Sequence, residues 1–250
     1  MLTTKRFASA IGAVAMSFAM MSAAYADVLV DRGLPSDNLN LNTANRSNVA
    51  WTDAGYQRGD YWVEGDTFTN TTGATWNINT IRIWTVGPTG TVSLIGGLSS
   101  GSPGSLTSIS STYTATPTTY PGGASYTTTS GATRSLTQID FAVNLTLGAG
   151  QTYMFFLDGT GGDYVIPFMS ASNAALSGTP QQGADDLLWE AHMVGGSAIS
   201  VDSFTSLGNG WDKASDFNVQ VLGTAVPEPG SMALLALGLL GGAVARRRKS

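Results

Sequence analysis

The chain of 250 residues is 42% hydrophobic and only 12% charged, enough apolar side chain for a buried core and too little charge for a disordered polyelectrolyte. With no Cys and one His, disulfide staples, thiolate zinc centres, thiol nucleophiles, a lipid-modified Cys and any metal site built on two imidazoles are excluded. Residues 27–226 hold six basic and sixteen acidic side chains, a formal charge of −10, which argues against nucleic acid or anionic lipid as a ligand and leaves neutral glycans, cations or other proteins.

Lys5 and Arg6 precede an apolar, small-residue run from Phe7 to Met21, followed by Ala24-Tyr25-Ala26 and Asp27. This is the order of a secretory signal peptide with an A-x-A cleavage site, so residues 1–26 are expected to be removed by signal peptidase after Ala26. A buried N-terminal helix would instead show an amphipathic stripe.

The middle of the chain reads as strands. Ile139, Phe141, Val143, Leu145 and Leu147 alternate with Asp140, Ala142, Asn144 and Thr146, a period of two with one buried and one wet face. Eight further runs rich in β-branched and aromatic residues are bounded by Gly, Asn, Asp or Pro: 61–68, 76–86, 91–95, 152–157, 164–169, 187–194, 199–204 and 217–222. Within 76–86 the apolar parity changes between Ile78 and Ile81, which predicts a central strand covered on both faces, or a bulge. Asp158-Gly159 and Gly161-Gly162 are placed to turn the chain after Leu157. The expectation for 27–225 is an all-β domain, an antiparallel β-sandwich of jelly-roll type.

Residues 99–133 interrupt this pattern with 19 Ser or Thr in 35 positions, plus Pro103, Pro117 and Pro121. Such a stretch buries too little to offset its ordering entropy and reads mainly as a long loop, with Ile109, Tyr113 and Tyr126 available for an edge hairpin and O-glycosylation as the functional alternative. Three N-x-S/T matches, at Asn45, Asn70 and Asn144, are read as chance in a bacterial setting.

Candidate chemistry is sparse. Gly97-Leu98-Ser99-Ser100-Gly101 matches the nucleophile elbow in letters, but a Ser/Pro/Gly stretch follows where the chemistry needs a helix. His192 and Glu190 fall on one face of a strand about 7 Å apart, where they can share a proton or a cation, although a solvated strand face is the plainer reading. Asp60, Glu64 and Asp66 share parity with Trp62, while Asp158 and Asp163 bracket a Gly-rich turn; these carboxylates are the candidate calcium ligands, without EF-hand or RTX spacing. Among the six Trp, Trp51 and Trp211 stand near Asn, Asp and Gly, outside the alternating runs, and are the candidate platforms for stacking a sugar ring.

At the C-terminus Val226-Pro227-Glu228-Pro229-Gly230 leads into Ser231–Ala245, which has no charge, and then Arg246, Arg247, Arg248 and Lys249. The prolines bar a helix or strand from running through them. As a helix the fifteen apolar residues span about 22 Å against a hydrocarbon core of about 30 Å, a marginal transmembrane anchor suited to a temporary hold. The basic end stays cytoplasmic by the positive-inside rule, which places the domain outside.

The three ordered parts of residues 226–250 resemble the PEP-CTERM sorting signal, a Pro-Glu-Pro motif, a short transmembrane helix and an Arg-rich end. The resemblance implies a Gram-negative exported protein recognised through Pro227, Glu228 and Pro229 by the membrane protease-transpeptidase exosortase, and associated with exopolysaccharide and biofilm matrix. It says nothing of what the domain in front does. Two expectations follow: a non-enzymatic, surface-directed sandwich with a structural, adhesive or glycan-binding role in the extracellular matrix, or a secreted, calcium-supported carbohydrate-active enzyme using paired carboxylates.

Overall fold

The computed structural model describes residues 26–32, 49–51, 60–86, 91–99, 111–116, 118–120, 125–127, 133–159, 168–170, 187–195, 197–204, 206–207, 212–213 and 216–227, together with Gly230 and Gly238. In chain order the strands are β1 (Asp27–Asp31), β2 (Val49–Trp51), β3 (Asp60–Thr69), β4 (Ala74–Val86), β5 (Val92–Ser99), β6 (Ser111–Ala115), β7 (Thr118–Thr119) and β8 (Ser125–Thr127). They continue with β9 (Thr133–Leu147), β10 (Thr152–Gly159), β11 (Phe168–Ser170), β12 (Leu188–Val194), β13 (Ser197–Phe204), β14 (Ser206–Leu207), β15 (Asp212–Lys213) and β16 (Val219–Pro227). Each of the nine strand expectations has a counterpart here, although residues 164–167 lie outside the described residues.

The strands form two main antiparallel sheets. In the larger one β1 pairs with β16, β16 with β4 and β4 with β9; β11 and β2 continue from the far end of β4, and β7 and β8 line the other side of β9. The second runs β13-β12-β3-β10-β5-β6, and β14 with β15 forms a separate two-stranded ribbon. Pairings such as β1 with β16 and β4 with β9 join segments far apart in sequence, so the last strand is enclosed between the first strand and β4.

One core cluster draws on both sheets: Leu29, Trp76, Ile81, Phe141, Phe217 and Val221 from the larger, Phe68, Leu94, Tyr153, Phe155 and Leu157 from the smaller. Burial on this scale, at roughly 25 cal/mol per Å² of apolar surface, is the main term holding the two sheets together. The parity change in β4 is a bulge. Ile78 pairs with Gly223 and Thr80 with Leu222, so Asn79 is left over, and Trp76, Ile78, Ile81 and Ile83 all enter the same core. Gly223 sits at that irregularity with its α-carbon against Asn77 and Ile78, where a Cβ would lie 2.1 Å from the Asn77 carbonyl oxygen. The smaller sheet is buried on its other face too, by Val63, Ile95, Met154, Phe156, Trp189, Ala191 and Met193.

Within 99–133 the described segments 111–115, 118–119 and 125–127 are strands: β6 pairs with β5, and β7 and β8 pair with β9, edge pairings that include Tyr113 and Tyr126. Thr and Tyr suit a pleated edge, and the ladders satisfy backbone groups that composition alone leaves unpaired. At the other end β16 continues past residue 225, through Val226 to Pro227, whose partner is Ala74. The strand stops there, at the residue that has no N–H to donate.

No helix among the described residues is long and apolar enough to cross a membrane. Of the expected signal peptide only Ala26 is described, and of the apolar tail only Gly238, which like Gly230 is helical. The signal-peptide and transmembrane-helix expectations otherwise lie outside the described residues.

Candidate functional site

Strand β3 carries the chemistry of the inner face. Alternation puts Trp62, Glu64, Asp66 and Phe68 on one side, and Phe68 belongs to the core shared by the two sheets, so this side faces the larger sheet. Along the strand the face changes from apolar at Phe68 to polar at Trp62.

Asp66 is the pivot of a buried ionic cluster. Its Oδ2 accepts from Arg32 Nη1 at 2.6 Å and from the Phe217 N–H at 2.7 Å, and its Oδ1 accepts from the Thr67 N–H at 2.6 Å. Arg32 also donates through Nη2 to the Thr67 carbonyl, and its Nη1 lies 3.3 Å from Asp216 Oδ1. The Arg32 N–H donates to the Val219 carbonyl at 3.0 Å, and Asn218 Nδ2 donates to the Arg32 carbonyl at 3.0 Å. All three charged side chains are buried. Burial pushes the Asp66 carboxyl up to about 7, reinforced by Asp216 and opposed by Arg32 and the two backbone donors. With three ionised groups the cluster would carry one excess negative charge out of reach of water, so a proton on Asp66 neutralises it.

The cluster ties the end of β1 to β3 and to the entry of β16. It leaves neither Asp66 oxygen free, which bears on its candidacy as a calcium ligand. Sequence reading sets Asp66 among the candidate calcium ligands and does not single out Arg32. The available signal was an Arg closing the short apolar run Val28–Val30 flanked by Asp27 and Asp31, in a domain with so few basic residues.

Glu190 and His192 do share one face of β12, as alternation predicts. They stand directly opposite Glu64 and Trp62 of β3, and the indole and imidazole stack with centroids 4.4 Å apart and planes 10° apart. The intervening Val63, Trp189, Ala191 and Met193 fill the cluster on the opposite face. Trp62, Glu190 and His192 are each half-buried, whereas Glu64 is 6% exposed. The result is a strip with an aromatic pair at one end and two facing carboxylates at the other. This strip was not assembled from sequence, since pairing between β3 and β12 crosses more than a hundred residues.

The remaining candidates are dispersed. Asp158 is buried on the other face of β10, opposite Ser93. Ser99 of the elbow-like pattern lies in the β5 ladder opposite Thr152, a regular strand position, while Ser100 and Gly101 lie outside the described residues. The backbones of Asp60 and Trp51 lie in β3 and β2, but their side chains are outside the described set. So are Ala24, Asp163, Trp211, Glu228, Pro229, Arg246, Arg247, Arg248 and Lys249. Among the described residues no group of three His, Asp or Glu is placed to hold a metal ion. Trp76, Trp84 and Trp189 are core residues.

The remaining site is the end of the sheets from which the tail leaves. The corner between β3 and β4 is organised by Asn70, fully buried, whose Nδ2 donates to the carbonyls of Ala74 at 2.7 Å and Leu147 at 2.9 Å. Its Oδ1 accepts from the Thr72 N–H at 3.0 Å and the Thr72 hydroxyl at 2.7 Å. Its N–H donates to the Gln151 carbonyl, and its carbonyl accepts from Gly150, which turns the chain with φ 73°. One side chain thus fixes this corner to the turn between β9 and β10, beside the terminal pair Pro227 and Ala74.

Residues 225–249 match the family model of the PEP-CTERM protein-sorting motif. No curated protein and no solved structure matches the chain. The motif implies export, a membrane-held stage and processing by exosortase. Its first three residues, Ala225, Val226 and Pro227, are the last three of β16, so no linker separates the sheet from the sorting tail.

Proposed function

We propose that this is a non-enzymatic, exported jelly-roll module that exosortase sorts to the cell surface or extracellular matrix, where it contacts neutral glycans. The observation that carries the reading is the continuity of β16 with the matched sorting motif, which makes the folded domain the cargo of the tail.

The jelly-roll assignment rests on strand order. Taking β1, β3, β4, β5, β6, β9, β10 and β16 as the eight principal strands, the sheets read first-eighth-third-sixth and second-seventh-fourth-fifth, the order of two interleaved Greek keys. The hairpin of β12 and β13 then widens the second sheet beyond β3. Lectin domains are among the proteins that use this architecture, an analogy of fold alone.

The glycan reading rests on the inner strip. A stacked Trp62 and His192 offer an aromatic surface for the apolar face of a sugar, and the half-buried Glu190 beside them offers an acceptor for its hydroxyls. Two measurements test the proposal. In the native host, Glu228→Ala is expected to leave the tail attached, read as an intact mass still ending at Ser250; wild-type processing of that variant overturns the sorting assignment. Titration with exopolysaccharide from the host is expected to show binding that Trp62→Ala weakens by tenfold or more, and equal binding by the two proteins removes the glycan role.

A further inference from the structure

We infer that the end of the two sheets built from the corner 70–73, the turn 148–151 and residues 225–227 is the face on which the domain rests on phospholipid headgroups while its tail is held in the bilayer. The inference rests on the sorting reading proposed above, through the membrane-held stage that the matched motif implies.

The first argument is reach. Pro227 is fixed in the ladder opposite Ala74, and the apolar run begins at Ser231. The four intervening steps span at most about 14 Å even fully extended. A bilayer carries only about 5–8 Å of headgroup region on each side of its core. The end of β16 therefore cannot stand clear of the headgroups by more than about 6–9 Å, and the neighbouring corner and turn, tied by Asn70 to Ala74, the partner of Pro227, are held at the same level.

The second argument is charge. The domain is strongly acidic, so an anionic bilayer repels most of its surface. Among the described residues the exception is this end, with Glu228 following Pro227 as the first charge of the tail. Thr71, Thr72, Gly73, Ala149, Gly150 and Gln151 are exposed and uncharged, as are Ala225, Val226 and Pro227. On the larger sheet the nearest charged side chain among the described residues is Asp27, paired with Gly223 and so about 13 Å back from Pro227. That exceeds the Debye length of about 8 Å at physiological salt. Along β4 the first charge is Arg82 and along β9 it is Asp140, still farther from the end. The threonine hydroxyls and the Gln151 amide supply neutral hydrogen-bonding groups to headgroup phosphates and glycerol.

The test uses the whole chain, whose lack of Cys allows single labels. Fluorophores are placed at Thr71→Cys, at Ala149→Cys and, as the distant control, at Thr116→Cys, which follows the far end of β6. The protein is reconstituted into vesicles of phosphatidylcholine and phosphatidylglycerol (3:1) containing a headgroup nitroxide lipid. At least threefold stronger quenching at 71 and 149 than at 116 is expected. In the Thr71→Cys protein, Ala149→Glu is expected to reduce that quenching at least twofold on these vesicles and to leave it unchanged on pure phosphatidylcholine. A chain that floats with the vesicles but is quenched equally at all three positions overturns this face and leaves the anchoring intact. Indifference to the added carboxylate also overturns it. A chain that does not float with the vesicles overturns the anchoring, and this inference with it.

Discussion

Arg32 Nη1 stands 2.6 Å from Asp66 Oδ2 with both side chains removed from solvent, and this contact joins the end of the first strand to β3, while the Phe217 N–H on the same Asp66 oxygen brings in the entry of the last strand. Removing one partner from a buried pair strands the other charge without water. Arg32→Met, which leaves Asp66 and Asp216 facing each other, is expected to lower unfolding free energy by about 3–5 kcal/mol. Asp66→Asn keeps the shape and, through its one amide oxygen, the contacts to Arg32 and the Phe217 N–H, while its NH2 turns toward the Thr67 N–H, so its cost should be smaller, about 1–3 kcal/mol. Urea unfolding of residues 27–226 followed by Trp fluorescence measures both; equal stability of wild type and Arg32→Met contradicts the account.

The same carboxyl gives the domain a pH signature. Its pKa in the fold, about 7, is above the ordinary value of 3.8, so the folded state binds the proton more tightly than the unfolded chain does. The stability contributed by this group is fully present below pH 3.8 and is lost as pH rises through 7. Between pH 4.5 and 6.5 the Asp66 contribution to unfolding free energy should therefore fall with pH, by at most about 1.4 kcal/mol per unit for one proton. The difference between wild type and Asp66→Asn, followed across that range by urea unfolding, isolates it. A difference that does not change with pH would mean that Arg32 and the backbone donors keep the carboxylate ionised throughout.

Period-two alternation in residues 139–147 made β9 legible, and the turn signals around Gly159 marked the end of β10, because both are local properties. The parity change in β4 was legible as a bulge or double burial for the same reason. Edge strands β6 and β8 were legible only as an edge-hairpin option at Tyr113 and Tyr126 and β7 not at all, since their stability comes from ladders to β5 and β9 that composition does not encode. The buried Arg32 and Asp66 were missed because they lie 34 residues apart and only the closing of the two sheets removes them from water. The tail was the most legible part, its three segments following one another directly in the chain. The strip of Trp62, Glu64, Glu190 and His192 was half legible: each strand showed which side chains share a face, and only the register between β3 and β12 brings the two faces together.

Asn70 was read only as a chance glycosylation match, yet its side chain makes four hydrogen bonds that hold the sorting end in shape. Asn70→Ala leaves the Ala74 and Leu147 carbonyls short of a donor in a buried place. A loss of about 2–3 kcal/mol is expected. Hydrogen exchange should also locate the damage, with faster exchange at Gly150 and Thr72 and little change at Val92 or Leu157 at the far end. Uniform acceleration across the sheets would contradict a local role for this residue.

Two glycines that look alike in sequence should behave in opposite ways. A Cβ at Gly65 would lie 2.0 Å from the Phe155 carbonyl oxygen and 2.5 Å from Phe156 Cδ1, because the Phe156 ring occupies the space beside β3 that a side chain would take. The first of these atoms is backbone, so relief requires β3 and β10 to move apart, and Gly65→Ala is expected to cost about 3 kcal/mol or more. Gly73, in the corner before β4, has nothing within 4 Å of such an atom and no positive φ, so Gly73→Ala should be neutral or slightly stabilising through the unfolded chain. Thermal unfolding of the two variants side by side measures the contrast. If Gly65→Ala unfolds with wild type, the close approach of β3 and β10 at Phe155 is wrong.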